Sequence, residues 1–279
     1  MKCALFTLLM LAAEIASATW SIVATNPETR EVGAAGATCN VGIEYIIGMV
    51  PGKGVILAQA ATNLSAKQKG MEIISDGGTP IDVINAVANQ EFNPGGMLSA
   101  PWTKQQYGVA VLDSTPMVAH FTGSDTVPWS GAIASDTVSS QGNMLVSEAV
   151  ITSSMTAWDN YLTHSPEACP FDMADRLLTA LKAGALEGGD IRCPSNKAAL
   201  TAFVTVSRPT DTLDNPSLLL VAPKAYGLLG SIRHWVVPYS QDEEDPSPID
   251  LLQQMYAGWK EKHPHWQPAC EATKAQPSP

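Results

Sequence analysis

Thr19 to Cys39 runs TWSIVATNPETREVGAAGATC, two apolar stretches around a polar turn. Thr19 to Ala24 reads as a strand. Asn26-Pro27-Glu28-Thr29 supplies turn chemistry, because Pro presets φ and Asn can bond its own backbone. Glu31 to Cys39 reads as the returning strand. Its very small side chains suit a surface on which another layer packs closely. Working back from Thr19, Ala16-Ser17-Ala18 has a small-x-small pattern. It follows the apolar run Ala4 to Ala13 and a positive start at Lys2. That layout predicts a secretory signal peptide over residues 1–18. The run is about half the ~20 residues a spanning helix requires.

A cut after Ala18 makes Thr19 the first residue. A terminal threonine holds a nucleophilic hydroxyl beside its own free amine. That amine has a pKa of roughly 7.7–8, so it can accept the hydroxyl proton near neutral pH. An internal threonine has no such base. Polar residues fall at the predicted strand ends and loops around it: Thr38, Gln59, Asn63, His120, Gln141, Asn143, Asp190 and Arg192. Polar groups placed there by a rigid scaffold are how sites are built.

The chain has 279 residues, and 45% of them are hydrophobic, too many for disorder along its length. Sixteen basic residues against 27 acidic give a net charge of −11. That balance argues against nucleic acid and anionic membrane surfaces as partners. Of five cysteines, Cys3 leaves with the signal. Cys39, Cys169, Cys193 and Cys270 remain, which in an exported chain points to disulfides with three pairings open. No C-x-x-C pair is present, so zinc-ribbon and thioredoxin-like readings fail.

Further along, Val55 to Ala60 reads as a strand and Leu64 to Ser75 as a helix stopped by Gly77-Gly78. Thr79-Pro80 caps a helix over Ile81 to Asn89. Gln106 to Asp113 and Met117 to Phe121 flank Ser114-Thr115-Pro116 as a second hairpin. Ser147 to Tyr161 and Phe171 to Ala183 are amphipathic helices. Ala199 to Val206 and Ser217 to Val221 are strands. Gln241 to Asp245 is an acidic linker, Ile249 to Lys262 a last helix, and the tail beyond Cys270 reads as frayed. The order does not alternate βαβα, so stacked sheets with helices outside are expected rather than a doubly wound parallel sheet.

Several blocks resemble the DUF1028 family, proteins of undetermined activity placed in the Ntn-hydrolase (N-terminal nucleophile) superfamily. They are the opening hairpin from Thr19, GKGVILAQAATN (Gly52 to Asn63), VAHFTGSDTVPWSG (Val118 to Gly131), SSQGNML (Ser139 to Leu145) and RLLTALKAGALEGGDIRC (Arg176 to Cys193). CPSNK, Cys193 to Lys197, departs from the polar turn of many relatives. The resemblance implies an α+β fold: a four-layer αββα sandwich of two stacked antiparallel sheets with outer helices, over residues 19–240. Residues 241–279 follow as linker, helix and tail. It also implies that Thr19 attacks an amide carbonyl, its amine acting as base, and that water then hydrolyses the acyl-enzyme. Asn143, or backbone N–H groups near Gly142, would donate to the developing oxyanion. Asp190 would orient the terminal ammonium or a substrate amine. Arg192 would bind a substrate carboxylate, and Thr38, Gln59, Asn63, His120 and Gln141 would line the substrate.

The expected activity is a secreted amidohydrolase acting on a small amide or peptide-like compound, with no cofactor and no metal. His263 and His265 lack convergent acids for a metal site. The alternative is a non-catalytic binding protein for a cell-wall or sugar ligand, with Trp102, Trp129, Trp235 and Trp266 available for stacking. Assembly as a homo-oligomer stays open. Asn63-Leu64-Ser65 is a glycosylation sequon, at odds with Asn63 in a pocket.

Overall fold

A computed structural model describes residues 16–17, 19–40, 42–96, 100–164, 169, 172–194, 197–222 and 246–266. The expected signal segment before Ala16, the acidic linker 241–245 and the tail beyond Cys270 lie outside the described residues. A short strand β1 (Ala16–Ser17) precedes Thr19.

The expected hairpin is β2 (Thr19–Asn26) and β3 (Glu31–Thr38). The Asn26 side chain accepts from the backbone N–H groups of Glu28 and Thr29, which closes the turn. Next come β4 (Ile47–Val50) and β5 (Gly54–Ala61), then α1 (Leu64–Ser75) and α2 (Pro80–Val87). Thr79 and Asp82 cap α2 reciprocally, with Pro80 in its first turn. The second hairpin is β6 (Gln105–Val111) and β7 (Val118–Thr122). It is followed by β8 (Gly131–Ala134) and β9 (Val138–Asn143). The helix expected over Ser147 to Tyr161 breaks at Asn160 into α3 (Ala149–Asp159) and α4 (Tyr161–His164). After α5 (Met173–Leu186) come β10 (Thr201–Ser207), β11 (Leu218–Ala222) and α6 (Pro248–Lys262).

The strands form two antiparallel sheets. One has the order β1-β5-β6-β7, with β4 also on β5; the other runs β11-β10-β3-β2-β9-β8. The sequence reading predicts no strand at β1, β4, β8 or β9. Strand β9 is fully buried yet reads VSSQGN, with neither apolar alternation nor aromatic residues to mark it.

Alternation along the strands sorts the interior. Val23, Val32, Ala34, Val55, Leu57, Ala110 and Phe203 form an apolar cluster drawn from both sheets. Trp20, Ile22, Ala35, Leu177, Leu252 and Tyr256 belong to a second cluster, joining β2, β3 and β10 to α3, α5 and α6. Ile56, Tyr107, Val109, Ile74 and Val83 belong to a third, joining β5 and β6 to α1 and α2. The C-terminal helix α6 is part of the second cluster through Ile249, Leu252 and Tyr256. Its Tyr256 hydroxyl donates to Asp172 at 2.5 Å. Among the described residues, no helix is long and apolar enough to cross a membrane.

Candidate functional site

Strand alternation fixes the faces at the start of β2. Val23 belongs to the cluster between the sheets, so Ser21 and Thr19, two and four residues earlier, face the same side. Trp20 and Ile22 face the helices. Trp20 is fully buried. A Cβ at Gly189 would lie 2.7 Å from its indole, so only glycine leaves room there. Thr19 is therefore held by the clamped residue after it and by pairing with Asn143 on β9. It is 1% exposed.

Between the sheets, a polar network replaces apolar packing at this end. Gln59 and Gln106 are cross-strand partners on β5 and β6. Gln59 donates to Gln106 Oε1 at 2.8 Å and to the Thr19 carbonyl at 3.4 Å. The Ser21 hydroxyl donates to Gln59 at 2.6 Å and accepts from Gln141 at 2.7 Å. The Ser139 hydroxyl donates to Gln141 at 3.0 Å. Asn143 donates to Gln106 at 3.1 Å. The Gln106 amide nitrogen reaches Thr122 Oγ1 at 2.9 Å and the carbonyls of Gly142 and Gly131 at 2.8 and 3.2 Å. Gly108 makes space for this group, because a Cβ there would collide with the Gln141 amide. A buried network whose members are satisfied rigidifies its surroundings.

A second group borders the first. Segment 144–146 pairs with 189–191 through the Leu145–Asp190 bridge and the Ile191 and Val146 N–H bonds. That pairing carries Asp190 to the end of β3. Asp190 is 1% exposed. Its carboxylate accepts from the Cys39 N–H at 2.6 Å, the Arg192 N–H at 2.9 Å, and the Arg192 guanidinium at 2.8 and 3.1 Å. Arg192 in turn reaches Thr38 Oγ1 at 3.4 Å. Thr38 falls one step beyond the Trp20–Ala37 pair, opposite Thr19. A disulfide joins Cys39 to Cys193 and ties both sides of this group together. Cys169 is disulfide-bonded as well.

Thr19, Thr38, Gln59, Gln141, Asn143, Asp190 and Arg192 thus gather at one end of the sheets. His120 and Asn63 stand apart. His120 is exposed on the edge strand β7, opposite Gly108. Asn63 caps α1, accepting from the Ala66 N–H at 2.9 Å and donating to Asn93 at 2.5 Å. The sequon asparagine is therefore engaged in a helix cap. Gln106, Ser21, Thr122 and Ser139 were not singled out from the sequence. Period-two alternation was the available signal, since Gln106 shares a face with Gly108 and Ala110, and Ser21 lies between Thr19 and Val23.

Backbone strain concentrates here too. Ala60 (φ 65°) and Met144 (φ 51°) are non-glycine residues in the left-handed region, each immediately after a network residue. Such strain costs of order 1–3 kcal/mol and tends to be kept at functional sites. Two others, Arg30 and Asp113, lie in hairpin turns and pair with each other at 2.8 Å.

The model of a family described as a family of unknown function, DUF1028, matches residues 19–217. The chain belongs to the DUF1028 family. The matched segment opens on Thr19 and contains every candidate residue above. A solved DUF1028 structure, protein SPO2555 from Silicibacter pomeroyi, shares the fold at a TM-score of 0.62 and 24% identity. The alignment covers 88% of this chain and 90% of that one. No curated protein matches. Among the described residues, no three His, Cys, Asp or Glu side chains converge as a metal site. Trp102 lies against Phe121 at 5.6 Å and Trp266 under Arg208 at 3.7 Å, so both indoles are engaged in packing. Trp235 lies outside the described residues.

The disulfide closes a loop of 154 residues around this DUF1028 site. Replacing Cys39 and Cys193 by serine is expected to lower stability by about 2–4 kcal/mol. Urea melts of the double variant check this, and an unchanged midpoint would count against a stabilising role for the link.

Proposed function

We propose that this protein is an exported Ntn-type amidohydrolase on a four-layer αββα sandwich, with Thr19 as nucleophile once residues 1–18 are removed. The observation that carries the reading is the placement of Thr19. It is the first residue of a central strand, faces the space between the sheets, and is where the family segment begins. Three core clusters lying between two sheets and two sets of helices support the layered arrangement.

The chemistry follows from the neighbours. The liberated amine would take the hydroxyl proton while Oγ1 attacks the amide carbonyl. Asn143, the β9 residue paired with Thr19, is the side-chain amide that would serve the oxyanion. Arg192, partly exposed and anchored on Asp190, can present guanidinium N–H groups to a carboxylate on the substrate. The substrate class is a small amide or peptide-like compound.

Two measurements test this together. N-terminal sequencing of the secreted protein is expected to begin at Thr19. Mass spectrometry after treatment with a β-lactone is expected to show one adduct, on Thr19. A start at Trp20 removes the nucleophile. Saturable ligand binding without any adduct would instead identify a binding protein.

A further inference from the structure

The short strand ahead of Thr19 occupies a specific place. Ala16 pairs with Ala61 and Ser17 with Ala60, antiparallel, on one edge of β5. Strand β6 takes the other edge along Gly54–Ala60. On the β1 side, β4 pairs only with Gly54–Leu57. Residues 58–61 of β5 therefore lie past the last β4 pair, and within them Ala60 and Ala61 have β1 as their described strand partner on that side. From this edge the chain crosses to the other sheet and enters β2 at Thr19, two residues after Ser17.

We propose that this edge of β5 binds the substrate's backbone, and that the substrate is an extended peptide-like chain added as a strand in the leader's place. The inference rests on the reading that residues 1–18 are removed and Thr19 is the nucleophile. Removal of β1 uncovers backbone N–H and C=O groups on an edge already shaped to pair with an antiparallel chain. Such edges capture extended peptides through main-chain hydrogen bonds. The geometry also sets direction. A chain following the leader's path runs toward Thr19 with its C-terminal side leading, so the residues held on β5 belong to the acyl half of the scissile amide. The left-handed kink at Ala60 lies within this edge, beside Gln59, whose side chain already reaches the Thr19 carbonyl. The family segment contains β5 but not β1, so the receiving edge belongs to the shared fold while the strand filling it does not.

The test uses protein beginning at Thr19, released from a cleavable fusion, and a fluorescent peptide of residues 10–18, MLAAEIASA. Fluorescence anisotropy is expected to show saturable binding, with hydrogen-exchange protection centred on Ala60 and Ala61. The same peptide N-methylated at the positions of Ala16 and Ser17 loses backbone donors and is expected to bind about tenfold or more weakly. Equal binding of both peptides, no binding, or protection elsewhere overturns the proposal. Hydrolysis is read separately. Strand binding with no turnover of any peptide amide upholds this edge while removing the nucleophile. Turnover of small amides undisturbed by saturating peptide keeps the nucleophile and removes the edge.

Discussion

Thr19→Ala is expected to reduce amide hydrolysis by about 10³-fold or more while leaving the fold intact. The substitution removes the hydroxyl and a methyl group and leaves the backbone of the residue and its cross-strand pairing in place. Pairing with Asn143, the clamp on Trp20 and the Gln59 bond to the Thr19 carbonyl all involve backbone or neighbouring side chains. Circular dichroism should therefore match the parent, with a melting midpoint lowered in line with the roughly 1–2 kcal/mol that loss of a buried methyl and hydroxyl costs. Thr19→Ser keeps the oxygen and should retain measurable turnover. The pH profile adds a sign. The amine works as a base only when neutral, so kcat/KM should rise with pH through roughly 7.7–8 and fall as acid protonates it. Equal rates for Thr19→Ala and the parent, in protein verified to start at residue 19, would end the hydrolase reading.

Much of this arrangement was legible in the sequence, and the exceptions have physical causes. The opening hairpin was readable because Asn26-Pro27 marks a turn between two strand-like runs. Helix α1 was readable because its apolar spacing ends at a glycine pair. Strand β9 was not, although it is the partner of β2 that places Asn143 against Thr19. Its residues, VSSQGN, are small and polar, and become strand-like only when the glutamine network between the sheets satisfies them. Gln106 is inconspicuous in the sequence for a related reason. It is the second of two glutamines that begin an otherwise apolar strand, and its importance depends on Gln59 lying opposite, a register that local sequence does not encode. Asp190 and Arg192 were singled out, but their tie to Thr38 runs through a pairing of segments 144–146 and 189–191 that carries no sequence signature. Asn63 shows the converse. A polar residue after a strand reads equally as a ligand contact or a helix cap, and the bond from the Ala66 N–H makes it a cap.

The largest stability effect is expected at Gln106, where Gln106→Leu keeps the volume and removes every polar contact. Gln106 is fully buried. Its oxygen accepts from both Gln59 and Asn143, and its nitrogen faces Thr122 and two backbone carbonyls. Leucine would leave the Gln59 and Asn143 amides each short of an acceptor, and the Gly142 carbonyl short of this donor. A buried group left unsatisfied costs about 1–3 kcal/mol, and the losses are coupled within one network. A total of about 3–5 kcal/mol is therefore expected, a large share of the 5–15 kcal/mol that holds a typical domain. Gln106→Glu separates shape from chemistry. The carboxylate could still accept from Gln59 and Asn143, but it would set an unpaired buried charge against the Gly131 and Gly142 carbonyls, which is costly. Both variants should lower the urea midpoint, and that of Gln106→Glu should recover partly as the pH is lowered and the carboxyl gains a proton to donate. A pH-independent loss in the glutamate variant, or a leucine variant as stable as the parent, would show that the glutamine pair does not hold the two sheets together at the Thr19 end.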